Sequence, residues 1–216
     1  VEFDEFANNT LEGAVEYDLP AIHKFVVEQT GKDVTYIAEE MGGFFMLGAL
    51  AVGAIDQRTV KSCIYIEEQN PLSSRLNTKA FGKNALWRLK KKGILSGQQL
   101  GVGIENESYA TIKPYLSWQN RVSFTALTGL SAEQPYADIT VPVMVVASKA
   151  ADINGPVKNA EWIYEQLSML TKSIKKYDYS EANTYRSYPN AGITLYPTTG
   201  GCWDDILAWV GRHECS

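Results

Sequence analysis

Apolar positions come in short blocks separated by polar turns, and the blocks fall into two kinds. Asp33-Val34-Thr35-Tyr36-Ile37 and Val60 to Glu67 are β-branched and aromatic runs of strand length, as are Thr140 to Ser148 and Gly192 to Pro197. Between them lie longer stretches with helical character. Phe44-Phe45-Met46-Leu47-Gly48-Ala49-Leu50 is apolar all round, Ala160 to Leu170 is amphipathic, and Ile206-Leu207-Trp209-Val210 forms a stripe near the C-terminus. Strands alternating with helices predict βαβ units and a mostly parallel sheet. Lys172 through Ser187 is polar and tyrosine-rich and is expected to be a loop before a last strand at Ile193-Thr194-Leu195-Tyr196-Pro197.

The first strand and the apolar helix are joined by Ala38-Glu39-Glu40-Met41-Gly42-Gly43. A strand running into a helix through a turn flanked by small residues has the shape of a nucleophile elbow, a strained and closely packed turn that Ala38 and Gly42 suit. Upstream, Glu16-Tyr17-Asp18-Leu19-Pro20-Ala21-Ile22, Phe25-Val26-Val27 and Gln29-Thr30-Gly31-Lys32-Asp33 complete the phrase. Over residues 13 to 55 the chain resembles the α/β-hydrolases of the lipase and esterase type. Against their elbow, Ala38 stands for glycine, Glu39 for histidine and Glu40 for the serine nucleophile.

The resemblance implies an acid after the next-to-last strand and a histidine after the last. Val141 to Ala147 would be that next-to-last strand, and Asp152 occupies the acid position; Gly201, in Thr199-Gly200-Gly201-Cys202-Trp203-Asp204-Asp205, falls where the histidine would be. The chain has two histidines in all. His23 lies in the helix before the elbow strand, where a packed or solvated imidazole is the ordinary role, and His213 follows the C-terminal stripe, where a cation suits the last turn of a helix. A triad needs the imidazole to take the nucleophile's proton, so losing serine and histidine together removes both nucleophile and activation. Carboxylate nucleophiles in dehalogenases and epoxide hydrolases still depend on a histidine. Glu40 with Asp152 as an acid/base pair is the remaining chemical option, and it ranks below a dead site.

By the same resemblance, residues 1–68 and 137–216 form a truncated hydrolase-like core, and 69–136 a helical cap-like insertion. A complete member has several strands before the elbow strand, where this sequence has only a short stretch, so the elbow strand would present an open edge. The expected role is that of a catalytically inactive hydrolase-like chain, a pseudoenzyme serving as a structural or accessory subunit, with another chain closing the edge in a hetero-oligomer. The alternatives are a module that holds an apolar ligand in the former acyl pocket, and a divergent esterase completed by a partner chain.

Composition narrows the rest. With 216 residues and 45% hydrophobic content the chain can bury one substantial core, and a net charge of −5 speaks against nucleic acid. Lys79, Lys83, Arg88, Lys90, Lys91 and Lys92 surround Ala80, Phe81, Leu86 and Trp87, a basic amphipathic helix suited to an acidic partner or a lipid surface, although a solvated face over a core stripe is commoner. Tyr109, Tyr115, Trp118 and Phe124 add aromatic area there. No apolar run is long enough to span a membrane, and a peripheral or soluble chain, organellar if a presequence has been removed, is expected. No CxxC, HExxH, P-loop or EF-hand pattern occurs and Gly101-Val102-Gly103 lacks a third glycine, so no metal or nucleotide cofactor is expected. Cys63 reads as a buried small hydrophobe. Cys202 and Cys215 would be held roughly 20 Å apart by the helix between them at ~1.5 Å per residue, which favours free thiols.

Overall fold

A computed structural model describes residues 10–39, 41–67, 91, 93–96, 106–110, 136–148, 156–177 and 202–214. The chain divides into two compact units, Val1–Ala14 with Asn70–Ala132, and Val15–Gln69 with Glu133–Ser216. In the second, a π-helical turn Ala14–Asp18 leads into helix α1 (Leu19–Thr30), followed by strand β1 (Val34–Glu39), helix α2 (Met41–Ala51) and strand β2 (Val60–Glu67). The first unit contains an antiparallel pair, β3 (Ile94–Ser96) with β4 (Asn106–Ser108). The second resumes with β5 (Val143–Ser148), α3 (Pro156–Gln166), β6 (Lys172–Tyr177) and α4 (Cys202–Glu214).

The large sheet runs β1-β2-β5-β6 and every pairing in it is parallel. Register explains its layers. Tyr36 pairs with Cys63 and Cys63 with Val143, while Ile37 pairs with Ile64 and Ile64 with Met144, so each set shares one face. Ile64, Ile66, Met144 and Val146 are buried against Cys202, Ile206 and Trp209 of α4. Tyr65, on the other face, is buried against α2, its ring edge-on to Phe44 at 5.6 Å. The apolar circumference of α2 follows from this burial, since Met46 to Ala51 are all enclosed.

Three local devices fix the connections. Gly31, at φ 63, closes α1 in the left-handed conformation, its N–H donating to Val27 O at 2.8 Å. The Gln57 side chain donates to Leu50 O and Asp138 O and accepts from the Thr140 N–H and hydroxyl, tying the entry of β2 to that of β5. Lys172 Nζ donates to Tyr164 O and Leu167 O, a cation on the carbonyl end of α3.

The segment from Lys172 is therefore not the loop that its polarity suggests. Lys172–Tyr177 is a strand, in register with Val143–Ser148. Its lysines are engaged at their tips: Lys172 on α3, Lys175 on Asp205 and Lys176 on Glu161. The amphipathic helix also begins and ends earlier than Ala160 to Leu170, because Pro156 suits a first turn and Lys172 caps the end. The strand expected at Gly192 to Pro197 lies outside the described residues, as do Tyr115, Trp118, Phe124 and the basic run apart from Lys91, which is exposed on helical backbone.

Candidate functional site

In a parallel sheet all strands leave at one end, and the connections at that end are where a ligand site is built. β1, β5 and β6 end there, and α2, α3 and α4 begin there. The strand–turn–helix order required of an elbow is present, with Glu39 closing β1 and Met41 opening α2. Glu40, Asp152 and Gly201 belong to the segments joining these ends and lie outside the described residues.

The small residues of the turn have different tasks. A Cβ on Gly42 would meet only the Ala38 methyl at 3.9 Å. One on Gly43 would lie 1.7 Å from the Tyr65 ring, so α2 crosses β2 at a distance that glycine alone allows.

Both histidines are placed at the opposite end of the sheet. His23 Nε2 is 2.8 Å from Thr59 Oγ1, just before β2 begins. The Thr59 hydroxyl donates its own proton to Asp56 O at 2.7 Å, so it accepts from Nε2–H. That leaves Nδ1 as the acceptor for the Tyr36 hydroxyl, also at 2.8 Å. The imidazole is thereby neutral, with both nitrogens used, and fastens α1 to β1 and to the entry of β2. His213 Nδ1 donates to Trp209 O at 2.8 Å, and the neighbouring Glu214 O accepts from Lys61 Nζ near the start of β2. The six steps from Lys61 to Glu67 rise about 20 Å, so His213 is roughly that far from the strand exits.

Burial holds the His23 imidazole below its ordinary 6.5, with Asp56 opposing in part, and burial pushes the Tyr36 phenol and Cys63 thiol up. Asp56 is brought to about 2 by the Arg58 guanidinium and backbone N–H. For His23 the sign is fixed by the lowered folded pKa. The unfolded chain binds the proton more readily, so stability is complete above 6.5 and is lost as pH falls toward the folded value. The Asp56 contribution disappears in a separate window, between 3.8 and about 2. Denaturant titrations from pH 8 to 5 should therefore show a falling midpoint below 6.5 that is absent in His23→Gln; an equal slope in the variant would assign it to other groups.

One cluster is not legible in the sequence, because the strand that supplies it, β6, has the polarity of a loop. Asp205, in the first turn of α4, accepts from the Tyr177 hydroxyl and from Lys175 Nζ at 3.3 Å, and these donors hold its carboxyl below the ordinary range. The cluster pins α4 to the exit of β6. An open groove of about 460 Å³ beside His23 is floored by Pro20, Val27, Ala54 and Ile55. Cys63 and Cys202 are both buried, and Cys215 lies outside the described residues. Among the described residues no cluster of three metal-ligating side chains occurs, and no helix is long and apolar enough to cross a membrane.

No family model and no curated protein matches the chain. Solved structures do. The monoacylglycerol lipase of Paleococcus ferrophilus superposes at a TM-score of 0.60 with 13% identity, over 95% of this chain and 76% of that one. A soluble variant of monoglyceride lipase from Saccharomyces cerevisiae gives 0.56 and 15%, over 92% and 69%. A structure from the metagenome-derived lipolytic enzymes LipS and LipT gives 0.50 and 16%, over 80% and 65%. With four parallel strands flanked by helices among its described residues and an elbow-like order of β1, turn and α2, this chain has the α/β-hydrolase fold over the part that it spans.

Proposed function

We propose that the protein is a catalytically inactive member of this fold, acting as a structural or accessory subunit of a larger assembly in which another chain completes the sheet beside β1. The observation that carries the proposal is the fate of the two histidines. His23 has both nitrogens engaged at the entry of β2, and His213 is bonded back onto α4 beside Glu214. Neither is available to a nucleophile after β1, and Glu40 stands where serine is needed. Residues 69–136 act as a cap-like insertion, and its basic segment, which includes Lys91, is a contact for an acidic protein surface.

The purified chain is expected to hydrolyse p-nitrophenyl butyrate no faster than a heat-inactivated control, with Glu40→Gln and Asp152→Asn making no difference. Turnover that either substitution abolishes would show a working site and end the proposal.

A further inference from the structure

α1 meets the sheet through a narrow inner face. Leu19, Pro20 and Val27 are half-buried there, and His23, midway between Leu19 and Val27 at spacings of i, i+4 and i+8, is the one buried residue of the helix. The imidazole commits both nitrogens across this contact, Nδ1 to Tyr36 of β1 and Nε2 to Thr59 at the entry of β2, each at 2.8 Å. Its ring also stacks on that of Tyr36, with centroids 5.9 Å apart.

Each bond in this chain has a direction that a second ring proton reverses. The Thr59 hydroxyl donates to Asp56 O and accepts from Nε2–H, so the Tyr36 hydroxyl donates to a bare Nδ1. A proton at Nδ1 makes that nitrogen a donor and brings it against the tyrosine's own hydrogen. That hydrogen cannot leave, because burial pushes the phenol up, so the hydroxyl has to turn away from the only acceptor it uses at the ring. A cation and a hydroxyl deprived of that acceptor then share a half-buried space, which disfavours the closed contact.

The charged surroundings do little to offset this. Among the described residues, α1 itself presents Lys24 and Glu28, paired with each other at 3.8 Å. The turn before β2 presents Asp56, which favours imidazolium but is held by Arg58 at 2.7 Å. β1 presents Tyr36, β2 the buried Cys63, and α2 has no titratable side chain.

We propose that His23 is a proton-operated latch, whose protonation lets α1 leave β1 and the entry of β2 while the core of the sheet stays closed. Release separates the walls of the groove beside His23, parting Pro20 and Val27 of α1 from Ala54 and Ile55 beyond the end of α2. The latch works in the same way whether or not the strand exits carry out chemistry.

Hydrogen exchange of the full chain from pH 7.5 to 5 in low urea, corrected for the intrinsic rate of each amide, tests the latch. Amides of α1 are expected to exchange ahead of those in residues 63–66 and 143–147, with little dependence on urea. Their protection should fall below pH 6.5 by up to about tenfold per pH unit, the limit for one proton. It should stay flat in His23→Gln and fall as in the parent in His213→Gln. Exchange of α1 only together with β2 and β5, at one protection and one urea slope, would overturn the proposal, as would early exchange that ignores pH. The parent chain and Tyr36→Phe decide the matter even where His23→Gln does not fold. Tyr36→Phe removes the donor to Nδ1, so the His23 ring signal, one of two histidines in the chain, should titrate closer to 6.5 than in the parent. An unchanged titration would show that the hydroxyl does not donate to Nδ1 and would end the latch.

Discussion

Gly43→Ala is expected to leave the protein largely unfolded or insoluble, while Gly42→Ala, one residue earlier, folds as the parent does. The added methyl at position 43 would lie 1.7 Å from Tyr65 Cδ2 and 2.0 Å from Cε2, in a ring that is wholly buried. Neither partner can yield cheaply. The ring is held edge-on by Phe44, and α2 is buried from Met46 to Ala51. Overpacking of a close-packed core costs about 1–3 kcal/mol when neighbours can shift and more when they cannot, against a domain stability of roughly 5–15 kcal/mol. At position 42 the Cβ finds ordinary contact and the backbone is exposed, so the change should lie within ~1 kcal/mol of neutral, with better helix propensity in its favour. Urea midpoints of the two variants decide the matter. Tyr65→Leu should restore part of what Gly43→Ala loses, because it removes the clashing ring. Equal midpoints for the two alanine variants would mean that α2 can slide on β2, and that the turn is not held at the separation described.

The pair also shows how far the sequence could be read. β1 and β2 were legible because their β-branched and aromatic residues have strand length, and α2 because an apolar stretch after two glycines has nowhere to go but inside. The elbow pattern made Gly42 look like the residue that packing requires, but the tight contact belongs to Gly43. Its cause is Tyr65, more than twenty positions away and brought near only by the β1–β2 pairing. β6 was hidden for a related reason. Four of its six residues are lysine or serine, and their tolerance on a strand depends on helix carbonyls and carboxylates contributed by α3 and α4. A short window of sequence contains none of those partners. The candidate site divides along the same line. Glu40, Asp152 and Gly201 were assigned from pattern and resemblance alone, and all three lie outside the described residues. The engagement of His23 by Tyr36 and Thr59 needed the fold, because its partners come from two different strand ends.

Trp209→Ala should cost about 3–5 kcal/mol, enough to unfold much of the population, whereas Trp209→Phe should cost less than ~1 kcal/mol. Trp209 is the largest buried side chain of α4, 4% exposed and packed in the cluster of Ile64, Ile66, Met144, Val146 and Ile206. Truncation to alanine would leave a cavity over the two inner strands, and it would remove the ring that lies against Arg212 and His213. Phenylalanine keeps most of that contact. It also deletes the indole N–H, which is buried without a hydrogen-bond partner among the described residues and which destabilises the native state by about 1–3 kcal/mol relative to a paired group. Lost volume and relieved desolvation act in opposite directions in both variants, nearly cancelling in Trp209→Phe, whereas in Trp209→Ala the cavity dominates. Thermal and urea melts of the two variants measure the difference. A phenylalanine variant as unstable as the alanine one would show that the indole N–H is satisfied in solution, and that α4 is held on the sheet by a polar contact at Trp209 as well as by its apolar face.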